Sequence, residues 1–168
     1  GCARSLALEG ANVVICGRDT KRLKNAKKEL ELDAIGKILA VETDLTRQND
    51  VQRLFDMIES EFGKLDHVVA SVGQPIDGTF ESLDIEHWYA AYDTLIMSVV
   101  RTLKMAHPLM SKSEAGSAVF LTATAVKEIN PNLALSSSIR RSTMGLMKVL
   151  SFEWAPIRVN AVLPGARD

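Results

Sequence analysis

The chain has 168 residues, with 20 Lys and Arg against 21 Asp and Glu and a net charge of −1. That balance excludes a basic footprint for nucleic acid or for an anionic membrane surface. A hydrophobic fraction of 46% against 24% charged residues excludes a disordered chain and is compatible with one domain around a sizeable core.

Residues 4–10 read as the last turns of a helix with Gly10 as its left-handed stop. Val13-Val14-Ile15-Cys16 is a uniformly apolar run, the mark of a strand covered on both faces. Asp19 or Thr20 can cap the next helix, which runs through Leu23, Ala26 and Leu30. Ile38-Leu39-Ala40-Val41 is the second strand. Over residues 47–62, Val51, Leu54, Phe55, Ile58 and Phe62 recur at helical spacing, and Gly63 closes the segment. Residues 67–70 form a strand, 74–84 a loop and 86–111 a long helix. Residues 118–121 are a strand, 124–135 a loop, 137–154 a helix and 157–162 a last strand.

Short apolar strands alternating with amphipathic helices make βαβ units. The expected fold is therefore α/β, a doubly wound parallel sheet of the Rossmann type in three layers. No run is long enough to span a bilayer. Cys2 and Cys16 fit no metal spacing, so no metal is expected, and two reduced thiols point to a cytoplasmic setting.

Three stretches resemble the short-chain dehydrogenase/reductase family. They are Leu6 to Val14 followed by Gly17-Arg18, Gly63 to Val69 with Gly73 beyond, and Arg158-Val159-Asn160-Ala161-Val162-Leu163-Pro164-Gly165. The resemblance implies that the chain is incomplete at both ends. The family's Thr-Gly-x-x-x-Gly-x-Gly loop and first strand belong before Gly1, and a substrate-covering segment belongs after Asp168. The first strand lies at the sheet centre, so the strands at Val13 and Val68 are expected to lack the neighbour that joins them.

The resemblance also implies a dinucleotide. At the end of the second family strand an acidic residue commonly takes the ribose 2′-OH. Gly17 and Arg18 stand there instead, and a guanidinium suits a 2′-phosphate, so NADP is expected and NAD is the alternative. The competing reading of Arg18 is an exposed residue that caps the strand end. Asp44-Leu45 resembles the pair bracketing the adenine, with Asp44 as the cap of helix 47–62 the alternative. Gly73 lets the backbone approach the cofactor, Pro164-Gly165 looks like the turn flanking the nicotinamide, and Arg140 is expected on its ribose.

The family's chemistry uses a phenol as acid or base, an ammonium four residues on, and a serine hydroxyl that orients the carbonyl. Aligned on Gly145-Leu146, those places hold Ser136, Arg140 and Ala123. Thr122 or Thr124 takes the serine's role if the loop carries a one-residue gap. The helix asparagine falls on Leu95, and the chain's tyrosines, Tyr89 and Tyr92, lie early in the long helix. The competing reading makes Ser136 a helix cap and Arg140 a surface salt-bridge residue. The expected function is an NAD(P)-dependent oxidoreductase on a small carbonyl or alcohol with altered or weak catalysis. The alternative is a non-catalytic nucleotide-binding subunit. A homodimer or homotetramer is implied by the family and is compatible with apolar residues on helix 137–154.

Overall fold

The computed structural model describes residues 1–165. Strands β1 (Val13–Gly17) and β2 (Ile38–Glu42) pair in parallel, with Val13 opposite Ile38 and Gly17 opposite Glu42. Strands β3 (His67–Ser71), β4 (Ser117–Leu121) and β5 (Arg158–Val162) form a second parallel sheet in that order. The gap expected at the sheet centre is present. Among the described residues nothing pairs β1 with β3.

Side chains alternate across the strands and so sort the helices into layers. Helices α1 (Cys2–Leu8) and α2 (Thr20–Glu31) pack with Val13, Ile15 and Ile38 on one face of the small sheet. The Asp19 carboxylate caps α2 by accepting the Arg22 N–H at 2.9 Å. The opposite side chains, Val14 and Val41, join the main core with Val68, Phe120 and Val159. That core also takes α3 (Gln48–Phe62), α5 (Ser98–Met110) and α7 (Ser142–Glu153). Val51, Leu54, Phe55 and Ile58 are the buried stripe of α3, each contributing about 1.5–3 kcal/mol when fully removed from water. Gly63 ends α3 at φ 69°, a conformation that favours glycine. On the second face of β3–β5, Val69 and Val162 are exposed among the described residues.

Three expectations change. Cys16 is exposed, near the carboxyl end of β1 on the wall of a cleft. The long helix is interrupted: α4 (Ile85–Tyr92) passes through a wider π turn, Asp93–Met97, into α5. Within that stretch the Ser98 hydroxyl donates to the Thr94 carbonyl at 2.5 Å, in the manner of a side chain competing for the backbone ladder. The last helix is divided into α6 (Ala134–Ile139) and α7, with Arg140 and Arg141 between them. Its start is set from a distance. The Gly78 N–H donates to the Asn132 carbonyl at 2.6 Å, and the Ala134 N–H donates to the Gly78 carbonyl at 3.1 Å. Loop 74–84 is thereby fastened to the head of α6.

Candidate active site

In α/β sheets of this kind ligands bind outside the carboxyl ends of the strands. Gly17 ends β1 and Arg18 follows it, Gly73-Gln74 lie just beyond β3, Thr122 follows β4 and Pro164 lies just beyond β5. Helix α6 delivers Ser136 and its end delivers Arg140, one turn apart on the same side. Both are out of water, at 2% and 3% exposure. The competing surface reading is therefore overturned. Ser136 lies inside α6, whose N-cap is Leu133, and Arg140 forms no salt bridge among the described residues.

The Arg140 guanidinium is the hub of this cluster. Its Nε donates to Ser136 Oγ at 3.2 Å, and its Nη2 donates to the Gly73 carbonyl at 3.1 Å and to Gln74 Oε1 at 3.4 Å. Burial pushes the guanidinium pKa down from its ordinary value, yet Arg keeps its charge in proteins. A cation held among neutral acceptors, with no carboxylate partner among the described residues, suits ribose hydroxyls or a phosphate. The Arg140 carbonyl accepts both the Thr143 N–H at 3.2 Å and the Thr143 hydroxyl at 2.6 Å, and Arg141 Nε reaches the Val126 carbonyl at 2.8 Å. These contacts hold the break in place.

Thr122 and Thr124 stand beside β5. The Thr122 N–H and hydroxyl both reach the Val162 carbonyl, at 2.9 and 3.1 Å, and the Thr124 N–H donates to the Pro164 carbonyl at 3.1 Å. Thr122 has thus turned its hydroxyl onto a strand. Thr124 is exposed at the head of a short 3₁₀ turn, Thr124–Val126. Leu95 is fully buried in an apolar cluster with Leu83, Ala91, Ile96, Leu135 and Ile139, so no polar group replaces an asparagine there. Tyr89 and Tyr92 are exposed on α4, and neither hydrogen-bonds to the Arg140 cluster among the described residues.

At the other end, Gly17, Arg18, Asp19 and Arg22 line a cleft of about 790 Å³ that continues along β1 to Cys16. A side chain on Gly17 would meet nothing closer than Leu23 at 3.9 Å, so the floor of the cleft is open. Neither Arg18 nor Arg22 is in a salt bridge among the described residues. Asp44 lies close enough to feel the Arg18 charge. Its carboxyl is held below the usual range first by the Thr46 hydroxyl at 2.7 Å, then by the Thr46 N–H and by Arg18 and Arg47. Asp44 does not cap α3, whose N-cap is Arg47, because its carboxylate is spent on the turn at Thr46. Leu45 leans on the main core. A side chain on Gly73 would meet Thr94 at 3.7 Å, ordinary contact, and one on Gly165 would meet nothing within 4 Å.

Sequence reading missed Gln74, Arg22 and the bridge at Gly78. Gln74 had a signal, since it directly follows Gly73 at a carboxyl strand end. The other two depend on contacts between distant segments.

A family model, enoyl-(acyl carrier protein) reductase, matches residues 1–168. The chain belongs to the short-chain dehydrogenase/reductase family. An uncharacterized oxidoreductase of Staphylococcus aureus (strain MRSA252) is 27% identical over 162 residues, 95% of this chain and 69% of the relative. The NADPH-bound structure of a short chain oxidoreductase from Pseudomonas aeruginosa PAO1, containing an atypical catalytic center, is 26% identical with a TM-score of 0.90 over 97% of this chain. The L-sorbose reductase from Gluconobacter frateurii, complexed with NADPH and L-sorbose, is 25% identical with a TM-score of 0.92 over 97% of this chain. The chain spans 65% and 63% of those two structures. Among its described residues no helix is long and apolar enough to cross a membrane, and no group of His, Cys, Asp or Glu is placed to hold a metal.

Proposed function

We propose that the chain is the nucleotide-binding and hydride-transfer part of an NADP-dependent oxidoreductase acting on a small carbonyl or alcohol. In it Ser136 and Arg140 take the places of the family's phenol and ammonium. The observation that carries this reading is the buried contact from Arg140 Nε to Ser136 Oγ, with the same guanidinium on the Gly73 carbonyl beside β3. The dinucleotide supplies or takes up the hydride when bound. Arg18 and Arg22 would hold a 2′-phosphate in the cleft beyond β1, with Asp44-Leu45 near the adenine, and Arg140, Gly73 and Pro164-Gly165 would flank the nicotinamide end. The NADPH in the two related structures supports the choice of NADP over NAD.

Because Ser136 Oγ accepts from Arg140, its own O–H is left to donate to a substrate oxygen. A serine hydroxyl is a far weaker acid than a phenol, whose unperturbed pKa is about 10. Proton transfer is therefore the slow step, while hydride transfer, which depends chiefly on positioning, persists. Thr124 is a secondary hydroxyl of the site, while the Thr122 hydroxyl stays bonded to the Val162 carbonyl. The titration that tests the reading follows NADPH and NADH fluorescence, and turnover is then measured on a panel of ketones, aldehydes and secondary alcohols. NADPH binding with slow turnover that falls in Ser136→Ala and Arg140→Ala is the expected result. A chain that binds neither nucleotide sinks the proposal, and an unchanged rate in both variants removes the site assignment.

A second reading, a nucleotide-binding subunit without turnover, is favoured by the absence of a tyrosine from the Arg140 cluster among the described residues. It predicts binding with no rate on any member of the panel. We also propose a cytoplasmic homodimer or homotetramer. Phe152 and Val149 on α7 and Tyr89 on α4 are exposed and suited to a self-contact, which sedimentation of the protein tests.

A further inference from the structure

The site described above has lost its usual way of gripping a carbonyl oxygen. Ala123 has no hydroxyl, the Thr122 hydroxyl is bonded to the Val162 carbonyl, and the Thr124 hydroxyl stands one residue further on, on the 3₁₀ turn. On the opposite side, Gln74 follows Gly73 beyond β3 and is exposed. Its side-chain oxygen accepts from Arg140 Nη2 at 3.4 Å. A guanidinium carries donors and no acceptor, so only the oxygen end of a carboxamide can face it. The orientation of this amide is therefore set by chemistry. Its two N–H donors point away from Arg140, and among the described residues they have no partner. The same guanidinium holds Ser136 through Nε, so Arg140 bridges the Gln74 amide and the Ser136 hydroxyl.

We propose that the Gln74 amide donates a hydrogen bond to the substrate's carbonyl or alcohol oxygen, in place of the hydroxyl missing at Ala123. Arg140 polarises the amide through its oxygen and so strengthens the N–H donors on the far side. An amide N–H transfers no proton at neutral pH. Gln74 is accordingly a binding and orienting donor, and the proton step stays with other groups. A neutral donor of this kind selects a neutral oxygen acceptor and offers nothing to a cationic group. The inference rests on the carbonyl reading of this site.

The test is a titration of para-fluoroacetophenone into the protein with NADP+ present, read by ¹⁹F NMR, with NADP+ affinity measured separately. Gln74→Leu removes both amide functions. Gln74→Glu keeps an oxygen for Arg140, and strengthens that contact, but removes the donors. Both variants are expected to weaken the ketone by about tenfold at saturating NADP+, and Gln74→Leu to leave NADP+ affinity and the thermal midpoint unchanged, since Gln74 is exposed. If Gln74 only braces Arg140, Gln74→Glu binds the ketone as well as the parent, and the proposal is overturned. Unchanged ketone binding in Gln74→Leu overturns it too. A parent protein that binds NADP+ but not the ketone removes this inference alone, whereas failure to bind NADP+ removes the underlying reading.

Discussion

Replacing Arg140 by Met separates the stability of the site from its chemistry. The substitution deletes two well-formed hydrogen bonds, to Ser136 Oγ at 3.2 Å and the Gly73 carbonyl at 3.1 Å, and a longer one to Gln74 at 3.4 Å. Bonds to a charged group contribute about 1.5–3 kcal/mol each, so the two shorter ones total roughly 3–6 kcal/mol. Against this stands the cost of taking a guanidinium out of water, several kcal/mol per ion after relaxation. The terms nearly cancel, because Met fills the same channel and asks for no partner. Folding stability in Arg140→Met is expected to change by about 1 kcal/mol or less, a thermal shift of roughly 2–4 °C for a chain of this size. Nucleotide binding has no such compensation. Loss of one charge-assisted bond to a ribose hydroxyl, about 1.5 kcal/mol or more, raises the NADPH dissociation constant at least about tenfold. Fluorescence titration of the folded variant reads the effect. A dissociation constant within about twofold of the parent would refute a ligand role for Arg140.

Arg18→Glu puts a carboxylate where a 2′-phosphate is expected, so NADPH affinity should fall by at least about tenfold while NADH affinity holds or rises. Parallel titrations decide it, and equal losses for both nucleotides would contradict the assignment. Gly78→Ala places a Cβ 2.9 Å from Leu83 Cγ and Cδ2 and 3.0 Å from Ser82 Oγ, and should cost about 1–3 kcal/mol by overpacking. Calorimetry checks that. Asp44 has a folded pKa below its unfolded value, so its contribution is present in full above about pH 4 and is lost as pH falls through the folded value. In Thr46→Val, which removes the largest cause, the stability difference from the parent should shrink as pH is lowered below about 4, as followed by thermal melts.

The strands were legible because a parallel sheet covered by helices writes itself as short apolar runs: Val13 to Cys16, Ile38 to Val41 and residues 118–121 each fall inside an observed strand. Helix α3 was legible for a related reason, a single apolar stripe ending at Gly63. Ser136 and Arg140 were singled out by the family resemblance aligned on Gly145-Leu146, and the helix that carries Ser136 begins at Ala134, three residues before the expected start. What local pattern cannot encode is a partner far along the chain. Helix α6 starts at Ala134 because Gly78, some fifty residues earlier, takes its N–H, and it ends at Ile139 where the Arg140 side chain turns inward to Gly73. Asp44 read as a helix cap because its spacing allowed it, but Thr46 is nearer and competes for the same oxygens. Cys16 looked buried by the company it keeps in sequence, yet the cleft lies at its end of β1.

A crystal structure of the protein with NADPH bound addresses the arrangement at α6 without reference to any substrate. The account predicts the Arg140 guanidinium within hydrogen-bonding distance of the nicotinamide ribose, with Ser136 Oγ beside it and Arg18 on the 2′-phosphate. A nucleotide seated elsewhere, or Tyr92 swung into the position assigned to Ser136, would contradict it.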